Sequence, residues 1–370
     1  MTARNDKKGA EGLAALRERI DAVDESIQTL IAERAALAQQ VAVAKEGPGR
    51  ATADYFRPER EADVLRRVVA RNDGPLRDEE IVRLFREIMS ACLAQQEPLK
   101  VAYLGPEGTF TQTAVYKHFG HSVRALPLAS IDEAFHEVEA GNADFGVVPI
   151  ENSTEGTVNN TLDMFLTSPL KIAGEIELRI EQHLLGSAPG LDGIERVCAH
   201  PQALAQCRNW LREYLPQAEL IGMSSNAAGA RRARDEAGTA AIAGEAAAEI
   251  YGLELVVANI EDRSDNTTRF LVVGRSLLQP SGDDKTTLML SATDTTGAGV
   301  LHELLQPLAR HEVNMSRIES RPSRKRKWDY VFFVDIDGHA EDPPVAKALA
   351  ELEATAALFR VLGAYPKAVL

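Results

Sequence analysis

The sequence predicts a chain of three units of different class: an all-α unit, a larger α/β unit and a smaller α+β unit. Three observations carry this. Apolar residues step by three and four through the first forty-odd positions. Short apolar runs then alternate with helical stretches from Leu99 to about Val273. Beyond the turn-rich run Gln279-Pro280-Ser281-Gly282-Asp283, two-residue alternation and helical stretches follow in the order β-α-β-β-α-β. At 370 residues the chain exceeds one compact core, so two or three domains are expected. The boundaries read as a disordered 1–10, a helical 11–97, an α/β 98–276, a linker 277–285 and a last unit 286–370.

In the helical unit, Leu13, Leu16, Ile20, Val23, Ile27, Leu30, Leu37 and Val41 form one stripe. It runs to about Lys45, where Gly47, Pro48 and Gly49 end it. At ~1.5 Å per residue this helix is roughly 50 Å long, longer than a ninety-residue domain is wide. Its stripe can be buried only against other helices, and a second chain supplies them, so a homodimer is expected. Pro58 opens a second helix with Val64, Leu65 and Val68; Asp78 is read as the cap of a third, with Ile81, Leu84, Phe85, Ile88 and Cys92 on one face. Cations interrupt the apolar pattern: Arg34 lies inside the stripe, Lys45 at its end and Arg17 at its edge. One such side chain would snorkel to water. Two on a face that must be buried point to an anion pocket, and Gln95 extends the third helix's face in the same way.

In the α/β unit, residues 101–104, 145–148, 240–243 and 270–273 read as buried strands, and Ser130 with Glu133 opens a helix as a capping box. Ligands are expected where such strands end and helices begin. Four polar loops stand there: Gly105 to Thr111, Pro149 to Thr154, Ser224 to Ala227 and Asn266 to Phe270. Hydroxyls and backbone N–H groups at helix starts suit carboxylates. In the last unit Leu288, Leu290 and Ala292 alternate as a strand, Leu301 to Leu308 mark a helix, and further strands fall near 315–320, 330–336 and 359–362, with a helix near 343–357. That order is the ferredoxin-like pattern.

A formal charge of −14 argues against nucleic acid or an acidic membrane face as a partner, and no apolar run reaches the ~20 residues of a membrane span. The first twelve residues lack a secretory apolar core. Cys92, Cys198 and Cys207 fit neither a metal site nor a disulfide framework, and a reducing cytoplasm is expected. With no dinucleotide fingerprint and no metal-ligand cluster, no metal or organic cofactor is expected. The basic run Arg324 to Lys327 reads as a solvated loop.

Leu16-Arg17-Glu18-Arg19-Ile20, Asp24, Ala32-Glu33-Arg34, Val43-Ala44-Lys45 and Arg60-Glu61 resemble the all-helical chorismate mutase family over nearly all of 11–97. The resemblance implies an intertwined dimer in which Arg17 of the partner, Arg34 and Arg60 grip the substrate carboxylates. It further implies that Lys45 and Gln95 donate to the ether oxygen and Glu61 accepts from the ring hydroxyl. Arg57 and Ala91 depart from common family residues, which motivates a rival in which this unit is only a dimerisation arm.

Tyr103-Leu-Gly-Pro-Glu-Gly-Thr-Phe-Thr111, the run 149–153, His200-Pro-Gln-Ala-Leu204 with Cys207, and Thr268-Arg269-Phe270 resemble prephenate dehydratases over about 99–275. The resemblance implies two α/β lobes around a cleft, as in type II periplasmic binding proteins. It makes Thr268 the donor to the departing hydroxyl and puts Thr109, Asn152, Ser153, Ser225 and Arg269 at the substrate; Glu151 stays open between substrate and a loop, and His200 reads as structural. Gly299-Val300-Leu301, Asn314-Met315, Ile318-Glu319-Ser320-Arg321-Pro322 and the closing run 362–366 resemble the ACT regulatory domain. That implies L-phenylalanine bound by Gly299, Val300, Leu301, Glu319, Ser320, Arg321 and Pro322. Together the resemblances imply an enzyme of L-phenylalanine biosynthesis that takes chorismate to prephenate and prephenate to phenylpyruvate. A non-catalytic amino-acid sensor is the rival from another class; it would have lost the Thr-Arg-Phe run or the helical cations.

Overall fold

The computed structural model describes residues 2–45, 56–95, 97–292, 298–323 and 330–369, with side chains of the first helix from residue 12. The helix terminator Gly47-Pro48-Gly49, the side chain of Lys45 and the basic run 324–327 lie outside the described residues.

Helix α1 (Thr2–Lys45) begins well before residue 11, which corrects the expectation of a disordered start for residues 2–10. Lys7, Lys8 and Ala10 favour helix, and no proline interrupts the run. Helices α2 (Pro58–Ala70) and α3 (Asp78–Ala94) follow. Asp78 is not the cap: Arg77 holds the cap position, and Asp78, Glu79 and Glu80 put three carboxylates in the first turn, where the helix dipole favours them. Helix α1 touches α3, where Gln39 Nε2 donates to Gln95 Oε1 at 2.5 Å. Its apolar stripe stays uncovered: Leu16 is 53%, Ile20 59% and Leu30 63% exposed. The other two helices dock on the α/β unit. Phe56, just before α2, is buried with ring centroids 5.4 Å from Phe119 and 5.5 Å from Phe145. Ser90 of α3 sits so close to Gly120 that a Cβ there would lie 2.6 Å from the serine Cβ.

The α/β unit runs β1 (Lys100–Leu104), α4 (Phe110–Phe119), β2 (Arg124–Leu128), α5 (Ile131–Glu139), β3 (Phe145–Asn152), β4 (Gly156–Thr157), α6 (Asn159–Phe165), β5 (Lys171–Arg179) and β6 (His183–Gly186). It continues through β7 (Arg196–Ala199), α7 (Pro201–Gln206), α8 (Arg208–Tyr214), β8 (Glu219–Gly222), α9 (Asn226–Asp235), β9 (Thr239–Ala243), α10 (Glu245–Tyr251), β10 (Glu254–Val257) and β11 (Thr267–Gly274). One sheet has the order β2-β1-β3-β11-β5 with β4 on β3, the other β10-β6-β9-β7-β8. The chain passes between them twice, from β5 to β6 and from β10 back to β11. Two lobes therefore hinge on two crossings. Ser130 Oγ accepts from Glu133 N at 3.1 Å, as the capping box predicts.

The last unit comprises β12 (Asp284–Ser291), α11 (Val300–Arg310), β13 (Met315–Pro322), β14 (Tyr330–Asp337), α12 (Pro343–Thr355) and β15 (Leu358–Pro366). Its sheet order is β13-β14-β12-β15, with β13 at a free edge. One face carries both helices over Leu288, Leu290, Val334 and Ile336. The other face joins the first lobe in a continuous core, Met289, Phe333, Leu362 and Tyr365 meeting Phe135, Phe165, Ile172 and Leu271. Gly363 lies directly on the Ile172 carbonyl, where a side chain has no room. The linker is shorter than 277–285, since β12 starts at Asp284, and it is not a free tether. Arg66 of α2 donates to Ser281 O (2.9 Å) and Asp283 O (2.7 Å), tying it to the helical unit.

Candidate active sites

Between the lobes lies a cleft of ≈ 1130 Å³ lined by Thr109, Asn152, Ser225 and Thr268 among others. The strand alternation of β11 turns Thr268 and Phe270 into it. One helix from each lobe starts at the cleft. The first turn of α4, at Phe110 and Thr111, follows Thr109; α9 follows Ser225, whose Oγ accepts from Ala228 N at 3.0 Å. Early N–H groups of a helix have no partner within it, so both starts face the cleft as anion cradles. No lysine or arginine is among the described residues lining the cleft; Glu155 is the one carboxylate.

The amides fix one another's orientation. Asn152 Oδ1 accepts from Thr154 N (3.0 Å) and Glu155 N (3.1 Å), so its Nδ2 must be the group facing Thr268 Oγ1 (2.8 Å) and Asn266 Oδ1 (2.9 Å). Thr268 therefore accepts from Asn152 and keeps its own hydroxyl proton to donate. From Asn266 the chain of amides runs to Gln206 Oε1 (3.2 Å), which also accepts from Gln182 (3.2 Å); Asn226 donates to Gln182 Oε1 at 3.3 Å. It links both lobes across the hinge. Gln182 carried no signal in the sequence. Asn226 and Asn266 stood inside the polar loops and Gln206 just before Cys207, but none was singled out. His200 caps α7 through its Nδ1, which accepts from Gln202 N at 3.3 Å, a structural duty as expected.

Two expected cleft residues lie elsewhere. Ser153 is exposed and its Oγ accepts from Thr267 N at 3.0 Å, closing the strand end. Arg269, next to Thr268 on a strand, points to the opposite face by the same alternation. There it pairs with Glu175 and with Asp335 of the last unit, each at 2.8 Å. Glu151, left open between substrate and loop, is an ion-pair partner of Arg317 at 2.9 Å.

In the helical unit the structure brings together only part of the expected set. Glu61 lies mostly out of solvent between α2 and α3, its side chain 14% exposed, with Arg86 Nε 3.5 Å away. Burial pushes its carboxyl up to about 7, against the opposing pull of Arg86 and, farther off, Arg34. Arg60 is 63% exposed and pairs with Asp63 at 2.8 Å, turned from Glu61 by one helical step. Arg17 precedes Arg34 by seventeen residues on one continuous helix, ~25 Å at the α-helical rise, so the two cannot meet within a chain. Gln95 is exposed at the end of α3.

For the expected effector residues, β13 alternation divides the set. Glu319 accepts from Thr157 Oγ1 at 3.0 Å and Arg321 pairs with Asp163 at 2.7 Å, so both face the first lobe and do not form an outer pocket. Ser320 and Pro322 stay exposed, as do Gly299 and Leu301 at the start of α11, while Val300 is half-buried. Gly299 holds φ +85°, a conformation glycine adopts freely. Among the described residues no group of His, Cys, Asp and Glu could hold a metal ion, and no helix is long and apolar enough to cross a membrane.

Family comparisons agree with the three units. Chorismate mutase type II matches residues 16–97, Prephenate dehydratase 101–277 and the ACT domain 286–354. A bifunctional chorismate mutase/prephenate dehydratase of Stutzerimonas stutzeri is 53% identical over 364 residues, covering 98% of this chain and 99% of that protein. Among solved structures, the prephenate dehydratase of Arthrobacter aurescens in complex with L-Phe matches with TM-score 0.67 and 39% identity, over 72% of this chain and 90% of that one. GqqA, described as a novel type of quorum-quenching acylase, matches with TM-score 0.66 and 30% identity, over 73% of this chain and 98% of that one. One fold thus carries more than one chemistry, and the decision rests on sites. On the near full-length identity and the three family matches in order, the chain belongs to the bifunctional chorismate mutase/prephenate dehydratases.

Proposed function

We infer that the chain rearranges chorismate to prephenate in its helical domain and converts prephenate to phenylpyruvate in the cleft. We further infer that L-phenylalanine, bound at the ACT domain, feeds back on the second step. The observation that carries the dehydratase reading is the Asn152–Thr268 contact, which leaves the Thr268 proton free to donate to a substrate in the cleft. Prephenate dianion plus one proton becomes phenylpyruvate, carbon dioxide and water. The bond to the ring carboxylate breaks and its electron pair aromatises the ring as the ring C–O bond breaks. Thr268 donates to the departing oxygen as charge develops there, the stage at which so weak an acid can act.

The absence of lysine and arginine from the described lining suits this reaction. The ring carboxylate leaves as neutral carbon dioxide, and a tight ion pair would hold its charge in the ground state and raise the barrier. Helix N-termini and amides bind the dianion more weakly and let that charge leave. Acyl hydrolysis, the activity named for GqqA, needs an activated nucleophile. Thr268 accepts a hydrogen bond from Asn152 and has no base beside it among the described residues, which favours donation over attack.

For the mutase, the site needs charge and shape only, since the rearrangement is unimolecular. Arg34 and Glu61 stand near each other, Lys45 and Gln95 are assigned to the ether oxygen, and Arg17 comes from the second copy of a homodimer. The uncovered α1 stripe supports that dimer, as does the ~25 Å between Arg17 and Arg34. Arg60 reaches a carboxylate only by leaving Asp63. Three buried free thiols suit a reducing cytoplasm.

Thr268→Ala tests the dehydratase assignment: phenylpyruvate formation from prephenate collapses while chorismate loss continues at the native rate. Equal loss of both would point to misfolding. Subunit mixing tests the dimer. Arg17→Ala and Arg34→Ala chains, each inactive alone, regain intact mutase sites when mixed, about a quarter of the total for random pairing in a two-fold dimer; no regain would refute the shared site.

A further inference from the structure

Strand β3 carries a bulge opposite the reaction centre on β11. Opposite β3, Arg269 pairs with Glu151 but Phe270 pairs with Pro149, so Ile150 is the extra residue. A bulge re-aims the side chains beside it, and next along β3 is Asn152, which donates to Thr268 Oγ1. On the reverse face Arg269 is locked. Its Nε donates to Glu175 Oε2 at 2.9 Å, its Nη2 lies 2.8 Å from Asp335 Oδ2, and it reaches the Tyr365 hydroxyl at 3.4 Å. Lys285 Nζ holds both Glu175 oxygens at 2.7 Å, and Thr287 Oγ1 donates to Asp335 Oδ1 at 2.7 Å. Since Thr287 has spent its one proton there, the Tyr365 hydroxyl must donate to Thr287 across 2.8 Å. Two cations thus balance two carboxylates, and the side chains of Glu175 and Asp335 are 4% exposed. Only Arg269 and Glu175 belong to the dehydratase domain; the other four belong to the ACT domain.

We propose that Arg269 is a positioning residue for dehydration: clamped opposite the β3 bulge by Asp335, Tyr365 and Lys285-bound Glu175, it fixes the direction of the Thr268 hydroxyl, so the ACT domain helps to aim the proton donor. The proposal rests on Thr268 being that donor. The cluster is neutral and buried, so removing one charge leaves another uncompensated, and the strain falls on the bulge. A misaim of the donor lowers turnover without loosening the substrate, because Arg269 does not reach the cleft.

The test is Asp335→Asn in the full-length chain, read by separate kcat and KM for prephenate with mutase turnover as folding control. Dehydratase kcat falls about tenfold, the scale set by small misplacements. KM stays within about twofold, and mutase turnover is native. In a Thr268→Ala background the same substitution costs nothing further, because it acts through Thr268. Should Thr268→Ala alone leave turnover intact, the donor reading fails, and a tenfold loss from Asp335→Asn in that background overturns the positioning role as well. An unchanged kcat in Asp335→Asn, or a loss confined to KM, overturns the proposal with the donor reading untouched. If Asp335→Asn lowers mutase turnover too, Tyr365→Phe replaces it. Loss of that single hydroxyl slows dehydration about twofold to threefold, and an unchanged rate there overturns the proposal.

Discussion

Asn152→Asp replaces one side-chain nitrogen by oxygen and reverses the hydrogen bond to Thr268. The carboxylate keeps the acceptor that binds Thr154 N and Glu155 N, so the loop retains its shape. It loses the donor that meets Thr268 Oγ1 at 2.8 Å and Asn266 Oδ1 at 2.9 Å. Facing a carboxylate, the Thr268 hydroxyl turns round and donates to it, and its proton no longer points at the substrate. Removing one preorganised transition-state donor costs about 10²–10³ in kcat, or about 2.7–4 kcal/mol. The loss should appear in kcat for phenylpyruvate formation, with mutase turnover unchanged. As pH falls the introduced carboxylate protonates, donates again and recovers rate, once the uncatalysed reaction is subtracted, whereas the native enzyme shows no such rise. A native kcat in the variant, or a loss without acid recovery, would refute the proposed orientation of Thr268.

Other consequences follow from the same geometry. With Glu61 pushed up to about 7 by burial, an ionised acceptor is lost as pH falls. Mutase kcat/KM should drop about fivefold between pH 7 and 6, and Glu61→Gln should flatten that profile; a flat native profile contradicts the role of Glu61. The folded value lies above the ordinary 4.5, so the folded state binds more protons between the two values. Stability therefore declines as pH rises through that window, by up to about 3 kcal/mol, and urea titrations at pH 5 and 8 check the sign. Gly363→Ala puts a methyl on the Ile172 carbonyl and must push β15 off β5. It should cost about 1–3 kcal/mol and slow dehydration more than rearrangement; a native melting temperature refutes the close docking.

Much of this fold was legible because its signals are periodic. The α1 stripe, the alternating strands of the dehydratase domain and the βαββαβ order each repeat often enough to be read without partners. The polar loops were legible for another reason: four short runs of hydroxyl and amide residues fell at strand ends, and the cleft gathers Thr109, Asn152, Ser225 and Thr268 from them. What escaped depends on docking between units. Alternation along β13 separates Glu319 and Arg321 from Ser320, but which face meets the first lobe depends on Thr157 and Asp163, more than 150 residues away. Arg269 read as a substrate ligand because its neighbour is Thr268; its partners Glu175 and Asp335 are supplied by two other strands. Gln182 is a single amide without a motif, and only the chain from Asn266 through Gln206 gives it a place.

The most direct test of the central claim supplies chorismate to the purified protein, with no other enzyme present, and follows chorismate loss and phenylpyruvate formation together. Both should occur, with prephenate as the intermediate and with phenylalanine slowing only the second step. Conversion of added prephenate without any loss of chorismate would contradict the mutase half and leave the helices as a dimerisation arm. No conversion of either substrate would contradict the enzyme reading and favour a sensor.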